Sequence, residues 1–250
     1  MNWDDLVLHP QTMDRINDMR TWLKYQQHIQ QDKNLSRKIK PGYRVLFYGP
    51  SDTGKTRTAT LLGKEFKKEV YKIDLSQVVS KYIGETEKNL EKIFNRAENK
   101  DWILFFDEAD VLFGKRTSVQ SAHDKYANQK VAYLLQRVED FPGLLVLASN
   151  FKNNIDDAFT RHFHTVAHFL MPDEMERLKL WKKSLPASLQ PDPSIDWFDI
   201  SSKFELTGSG ILNVVHYATL KSYSKQDGFL RKEDILAGIR KEFSKDERSV

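Results

Sequence analysis

Gly49-Pro50-Ser51-Asp52-Thr53-Gly54-Lys55-Thr56 fits the spacing G-x-x-x-x-G-K-[ST], a loop that wraps phosphate groups. The flanks fit as well. Arg44-Val45-Leu46-Phe47-Tyr48 reads as a buried strand, and Thr56 to Phe66 reads as a helix. A glycine loop between strand and helix turns backbone N–H groups inward, and the helix N-terminus adds partial positive charge. Pro50, Ser51, Asp52, Thr53, Gly54, Lys55, Thr56 and Arg57 are therefore the candidate phosphate-binding residues. Lys55 is expected to reach the β- and γ-phosphates. The Thr56 hydroxyl is expected on Mg²⁺.

Working outward, short apolar runs alternate with longer amphipathic segments, the pattern of a parallel sheet covered by helices. The runs predict five strands, at 43–48, 69–74, 102–107, 143–149 and 164–170. Helices are predicted over 11–29, 55–67, 86–99, 124–140 and 156–162, with Thr86 as a cap for the third. After Met171-Pro172 the segments 173–184, 195–204, 208–225 and 232–243 read as helices, and no strong strand follows. The expected organisation is an α/β nucleotide-binding part over 1–171 and a small all-helical part over 172–250.

Composition bounds the function. The chain has 250 residues, 40% hydrophobic and 30% charged, with a net charge of +4. The 39 basic and 35 acidic residues are interleaved, and the densest basic stretch, Arg37-Lys38-Ile39-Lys40 with Arg44, reads as a solvated loop. Nucleic acid is not an expected partner. Cysteine is absent, which excludes disulfides and thiolate metal sites. No apolar run reaches membrane-spanning length and the N-terminus has no apolar signal core, so a soluble, cytoplasmic protein is expected.

A second acidic element follows the strand Ile103-Leu104-Phe105-Phe106. Asp107-Glu108 stands where the carboxyl end of a buried strand opens into a ligand crevice. Asp107 is expected to hold Mg²⁺, partly through water, and Glu108 to polarise the attacking water. The tetrapeptide Asp107-Glu108-Ala109-Asp110 also spells the DEAD-box helicase motif, but the chain has no room for that family's two domains. Gly143-Leu144-Leu145-Val146-Leu147-Ala148 ends in Ser149-Asn150. Asn150 is either a turn residue or, if the sheet order puts its strand centrally, a ligand of the γ-phosphate or the lytic water.

Together these residues resemble the AAA clade of AAA+ ATPases over nearly the whole chain. Trp3-Asp4-Asp5-Leu6-Val7 is similar to the family's N-terminal segment, whose backbone reads adenine, which implicates Leu6 and Val7. Lys81-Tyr82-Ile83-Gly84-Glu85-Thr86-Glu87 resembles its first pore loop. Asp107 to Asp110 resemble its Walker B end, and Asn150 falls at sensor 1. Ile155-Asp156-Asp157-Ala158-Phe159-Thr160-Arg161 resembles the arginine-finger segment. Gly208-Ser209-Gly210-Ile211-Leu212-Asn213 resembles the lid segment near adenine. The likeness is strongest to single-module bacterial ATPases, some associated with contractile injection systems. The resemblance implies a P-loop sheet followed by a helical lid, ATP and Mg²⁺ as cofactors, and a homo-oligomeric ring, usually a hexamer. It also implies that Arg161 acts on a neighbour's nucleotide, although by itself Arg161 reads as a surface helix-end arginine. Lys81, Tyr82, Ile83 and Gly84 would grip a substrate in the pore, where the plainer reading of Tyr82 is an exposed connector residue.

Two positions depart from the pattern. Asp52 replaces a common glycine and brings a carboxylate towards anionic phosphates. His162 stands where many relatives carry a second arginine. The reading is an ATP-hydrolysing ring that remodels or threads a protein substrate or adaptor. The alternatives are a nucleotide-switched scaffold with weak hydrolysis and a nucleic-acid motor or loader. Because the motifs begin almost at residue 1, no separate recognition domain is expected ahead of them.

Overall fold

The computed structural model describes residues 2–75, 85–109, 132–150, 160–226 and 228–245. The chain divides into two compact units. One takes Pro10–Pro50 and Lys55–Phe169; the other takes Ser51–Gly54, the N-terminal stretch through His9 and the chain from Leu170 onward.

The first unit is built on a parallel sheet. Its strands are β1 (Tyr43–Tyr48), β2 (Val70–Asp74), β3 (Ile103–Asp107), β4 (Leu144–Ser149) and β5 (Thr165–His168), in the order β2-β3-β4-β1-β5. All four pairings are parallel. The unbroken apolar runs occupy the middle. Val45, Leu46 and Phe47, Ile103 to Phe106 and all six residues of β4 are buried, as strands covered on both faces require. The edge strand β2 reads differently, with Tyr71 and Lys72 exposed.

The helices of this unit are α1 (Pro10–Gln31), α2 (Lys55–Phe66), α3 (Glu85–Lys100) and α4 over 132–140. Proline opens α1, where its missing N–H costs nothing. The α1 helix packs on β5, and Thr12 Oγ1 donates to the His168 carbonyl at 2.5 Å. One core cluster joins Leu90 and Phe94 of α3 and Leu134 and Val138 of α4 to Leu104, Phe106, Leu145 and Leu147 of the sheet. The α3 helix already contains Glu85, so Thr86 lies within it rather than capping it. The predicted strand 164–170 ends at His168, although the Phe169 N–H still donates to the Tyr48 carbonyl at 2.8 Å.

The second unit is a helical cluster of α5 (Glu174–Ser184), α6 (Trp197–Lys203), α7 (Gly208–Lys225) and α8 (Lys232–Lys245). Asp173 caps α5 in a reciprocal box with Glu176, and Thr207 caps α7. Trp181, Ile211, Val214, Ile235 and Ile239 form its core. The region read as all-helical also contains one small parallel pair, β6 (Gln190–Pro191) with β7 (Phe229–Leu230). Two residues per strand leave no periodicity for a sequence to show.

Candidate functional site

Three central strands end side by side. Tyr48 of β1 is opposite Ser149 of β4, and Leu147 of β4 is opposite Phe106 of β3. The glycine loop, Asn150 and Asp107-Glu108 therefore leave one edge of the sheet. The β4 strand lies between β1 and β3, which is the condition on which the reading of Asn150 turned.

Backbone bonds tie these ends together. The Gly49 N–H donates to Ser149 O at 3.2 Å, and the Ala109 N–H donates to Ala148 O at 2.9 Å. Gly49 has φ +139°, and a Cβ there would lie 2.0 Å from the Phe169 carbonyl oxygen. Only glycine fits that junction. Lys55 is buried, and its Nζ donates to the carbonyls of Gly49 at 2.7 Å and Pro50 at 2.8 Å. Its ammonium is thus fixed against the loop it starts from. Thr56 is exposed and Arg57 half-buried in the first turn of α2.

Asp107 accepts a hydrogen bond from the Glu108 N–H at 3.1 Å, and its Oδ2 lies 2.7 Å from Lys72 Nζ. Glu108 is exposed and has φ +54°, a conformation that side-chain-bearing residues seldom adopt. Such strain persists where surrounding structure enforces it, which is common at reactive positions. Asn150 is half-buried.

The second unit holds the rest of the loop. Asp52 takes φ +62°, in the left-handed region that favours glycine. Gly54 has φ +105°, and a Cβ there would approach Leu6 Cδ1 to 3.1 Å and Leu8 Cδ2 to 3.6 Å. Leu6 is therefore packed on the loop, and Val7 beside it is half-buried. The Gly210 N–H is occupied in the α7 cap, donating to Thr207 Oγ1 at 3.0 Å. Lys81, Tyr82, Ile83 and Gly84 lie outside the described residues.

Arg161 is exposed in a turn closed by the Phe163 N–H donating to Thr160 O at 3.2 Å. The residues after it are held at the amino ends of the strands. His162 Nδ1 lies 2.5 Å from Glu139 Oε1. A carboxylate only accepts, so Nδ1 carries the hydrogen. Lys40 Nζ reaches Glu139 and Asp140, each at 3.3 Å. The bond from His162, countered by desolvation and aided by Lys40, holds the Glu139 carboxyl below its ordinary value. Arg44 Nη1 donates to Glu139 O at 2.7 Å. The His164 ring stacks on Tyr43 with centroids 4.9 Å apart, in a residue that is exposed as a whole. Its two nitrogens lie 3.0 Å from the Arg44 backbone N–H and from Arg44 Nη2. A second proton on that ring would oppose a donor. Desolvation, then the Arg44 charge, push its pKa down. Among the described residues no group of three or more histidine or acidic side chains could hold a metal.

Sequence reasoning missed Lys72, Lys40, Arg44 and Glu139. Lys72 carried a faint signal, as a cation on an edge strand next to the strand bearing Asp107. Glu139 carried none, because a carboxylate near a helix end is usually solvated.

The donor set suits a nucleotide with its metal. A buried ammonium and a glycine cradle match phosphates, while the hydroxyl of Thr56 and the carboxylate of Asp107 are the hard oxygen ligands Mg²⁺ prefers. A parallel sheet with a phosphate loop after β1 defines the class of P-loop nucleotide-binding α/β folds. The chain belongs to the ATPase family associated with various cellular activities (AAA), whose family model matches residues 45–170, half of the chain. As in that family, its nucleotide is ATP and its metal Mg²⁺. The chain is 28% identical over 211 residues to the 26S proteasome regulatory subunit 10B homolog A of Arabidopsis thaliana, covering 81% of this chain and 53% of that protein. It is 32% identical over 192 residues to the ATPase family gene 2 protein of Schizosaccharomyces pombe, covering 75% and 24% respectively. It is also 32% identical over 145 residues to cell division protein C of Sulfolobus acidocaldarius, covering 54% and 39%. The chain thus spans about half, or less, of the length of these relatives. Among the described residues no helix is long and apolar enough to cross a membrane.

Proposed function

We propose that this chain is a Mg²⁺-dependent ATPase that assembles as a homo-oligomeric ring, a hexamer, and remodels or threads a protein substrate in the cytoplasm. The observation that carries the reading is the sheet order, with phosphate loop, Asn150 and Asp107-Glu108 leaving three adjacent strands at one edge. Residues 1–171 act as the nucleotide-binding part and 172–250 as its lid. Lys55 and the loop amides bind the β- and γ-phosphates, and Leu6, Val7 and Gly210 contribute to the adenine pocket. Thr56 and Asp107 hold Mg²⁺, which neutralises charge on the phosphates when bound. Glu108 accepts a proton from the attacking water, whose oxygen bonds to the γ-phosphorus as the bond to the bridging oxygen of ADP breaks. Asn150 orients that water. Arg161 stabilises the growing charge from the neighbouring copy. Tyr82, with Lys81, Ile83 and Gly84, contacts the substrate.

The name of the Arabidopsis relative supports a protein substrate over nucleic acid. A nucleotide-switched scaffold remains the second reading, favoured by Asp52, whose carboxylate sits on the loop at φ +62°. Sedimentation of the Glu108→Gln variant with and without Mg²⁺ and ATP tests the first reading. ATP-dependent assembly is expected, and a monomer that retains no nucleotide would sink it. Wild-type turnover that rises with protein concentration separates the enzyme from the scaffold.

A further inference from the structure

The segment next to Arg161 is anchored at one residue in a way that a solvated turn does not require. His162 is bonded to Glu139 at 2.5 Å. Glu139 is fixed in turn: its other oxygen takes Lys40 at 3.3 Å, and its carbonyl takes Arg44 Nη1 at 2.7 Å. Two residues further on, the His164 N–H donates to Arg44 O at 2.9 Å, at the start of β5's pairing with β1. The chain is therefore pinned just after Arg161, while Arg161 itself projects from the turn, exposed. A long side chain on a loose turn loses most of its electrostatic value to conformational averaging; on a fixed turn it is pre-organised.

We propose that Glu139 and His162 are positioning residues for Arg161: the carboxylate on α4 holds the imidazole that follows the arginine, and so fixes the turn that offers the guanidinium to a neighbouring copy's ATP. This rests on the reading of Arg161 as a residue acting in trans. It assigns His162 a task beyond replacing a second arginine, because the ring faces Glu139 within its own chain. Neither residue touches the reacting atoms.

Steady-state ATPase of the full chain, at varied ATP, tests it. Glu139→Ala and His162→Ala should each lower kcat about tenfold, the scale of a misplaced catalytic group, while the KM for ATP stays within about twofold. The double variant should lose no more than either single one, since both remove one contact. His162→Arg, able to pair with Glu139, should stay within about threefold of wild type. Lys40→Met, which removes one support of Glu139 and leaves the His162 contact in place, should lower kcat by less than Glu139→Ala does. Should Glu139→Ala fail to fold, Glu139→Gln keeps an oxygen for Nδ1–H and is expected to fall between wild type and His162→Ala. Wild-type kcat in His162→Ala and in the folded Glu139 variant, or additive losses in the double variant, would overturn the assignment. The underlying reading fails separately, if Arg161→Ala retains full turnover or is never rescued by mixing with Glu108→Gln.

Discussion

The two ends of the central strands are built on opposite plans. At the carboxyl ends the backbone is strained and part of the site is open, with Gly49, Asp52, Gly54 and Glu108 at positive φ and Thr56 and Glu108 exposed. At the amino ends Lys40, Arg44, Glu139, His162 and His164 bond to one another across three segments. Reactive groups must exchange partners during turnover, so they cannot be saturated with internal ones. Groups that only hold a shape can be. On the proposed function, the difference separates residues that would meet the nucleotide from residues that hold strands, and the turn after Arg161, in place.

Substitutions at the two ends should therefore fail in different ways. The largest loss is expected for Glu108→Gln, which should slow ATP hydrolysis by about 10²–10⁴-fold, the usual span for losing a general base, with ATP binding kept. Rapid-quench turnover and nucleotide retention check it, and near-normal hydrolysis would remove Glu108 from its role. Next comes Gly49→Ala, whose new Cβ meets Phe169 O at 2.0 Å. Overpacking at a positive φ should cost about 3 kcal/mol, read as a lower midpoint in urea. An unchanged midpoint would show that the junction can yield. Lys55→Ala should weaken ATP by about 2 kcal/mol, the scale of charge-assisted hydrogen bonds, in a titration with labelled nucleotide.

The smallest effect belongs to the amino end. The folded state lowers the pKa of His164 from its ordinary value of 6.5, so the unfolded chain takes up a proton that the fold resists. Stability should then fall as pH drops below about 6.5, until the folded ring also titrates. Glu139 has the same sign at lower pH, because the stability from its depressed carboxyl value is lost as pH falls through it. His164 as a whole residue is exposed, so the drop in Tm between about pH 7 and about pH 5 should be modest. It should shrink in His164→Asn, and an equal drop in both proteins would break the assignment.

The carboxyl end was legible because its constraints are local. A glycine at the end of an apolar strand, a lysine and threonine opening a helix, and two carboxylates after a second strand all sit within a few residues of one another. Asn150 was legible only as an alternative, since its meaning depended on whether β4 lies beside β1. The amino end was hidden. Arg44 and His164 are separated by 120 residues, and Lys40 and Glu139 by 99. No local pattern pairs residues that far apart. His162 stood out as a departure, but nothing in the sequence pointed to Glu139 as its partner.

The hydroxyl of Thr12 has a wider consequence. By occupying the His168 carbonyl on β5, where α1 packs on that strand, it takes up one of the acceptors that an incoming strand would use there. A copy pairing there through its backbone would first have to displace Thr12 from that carbonyl.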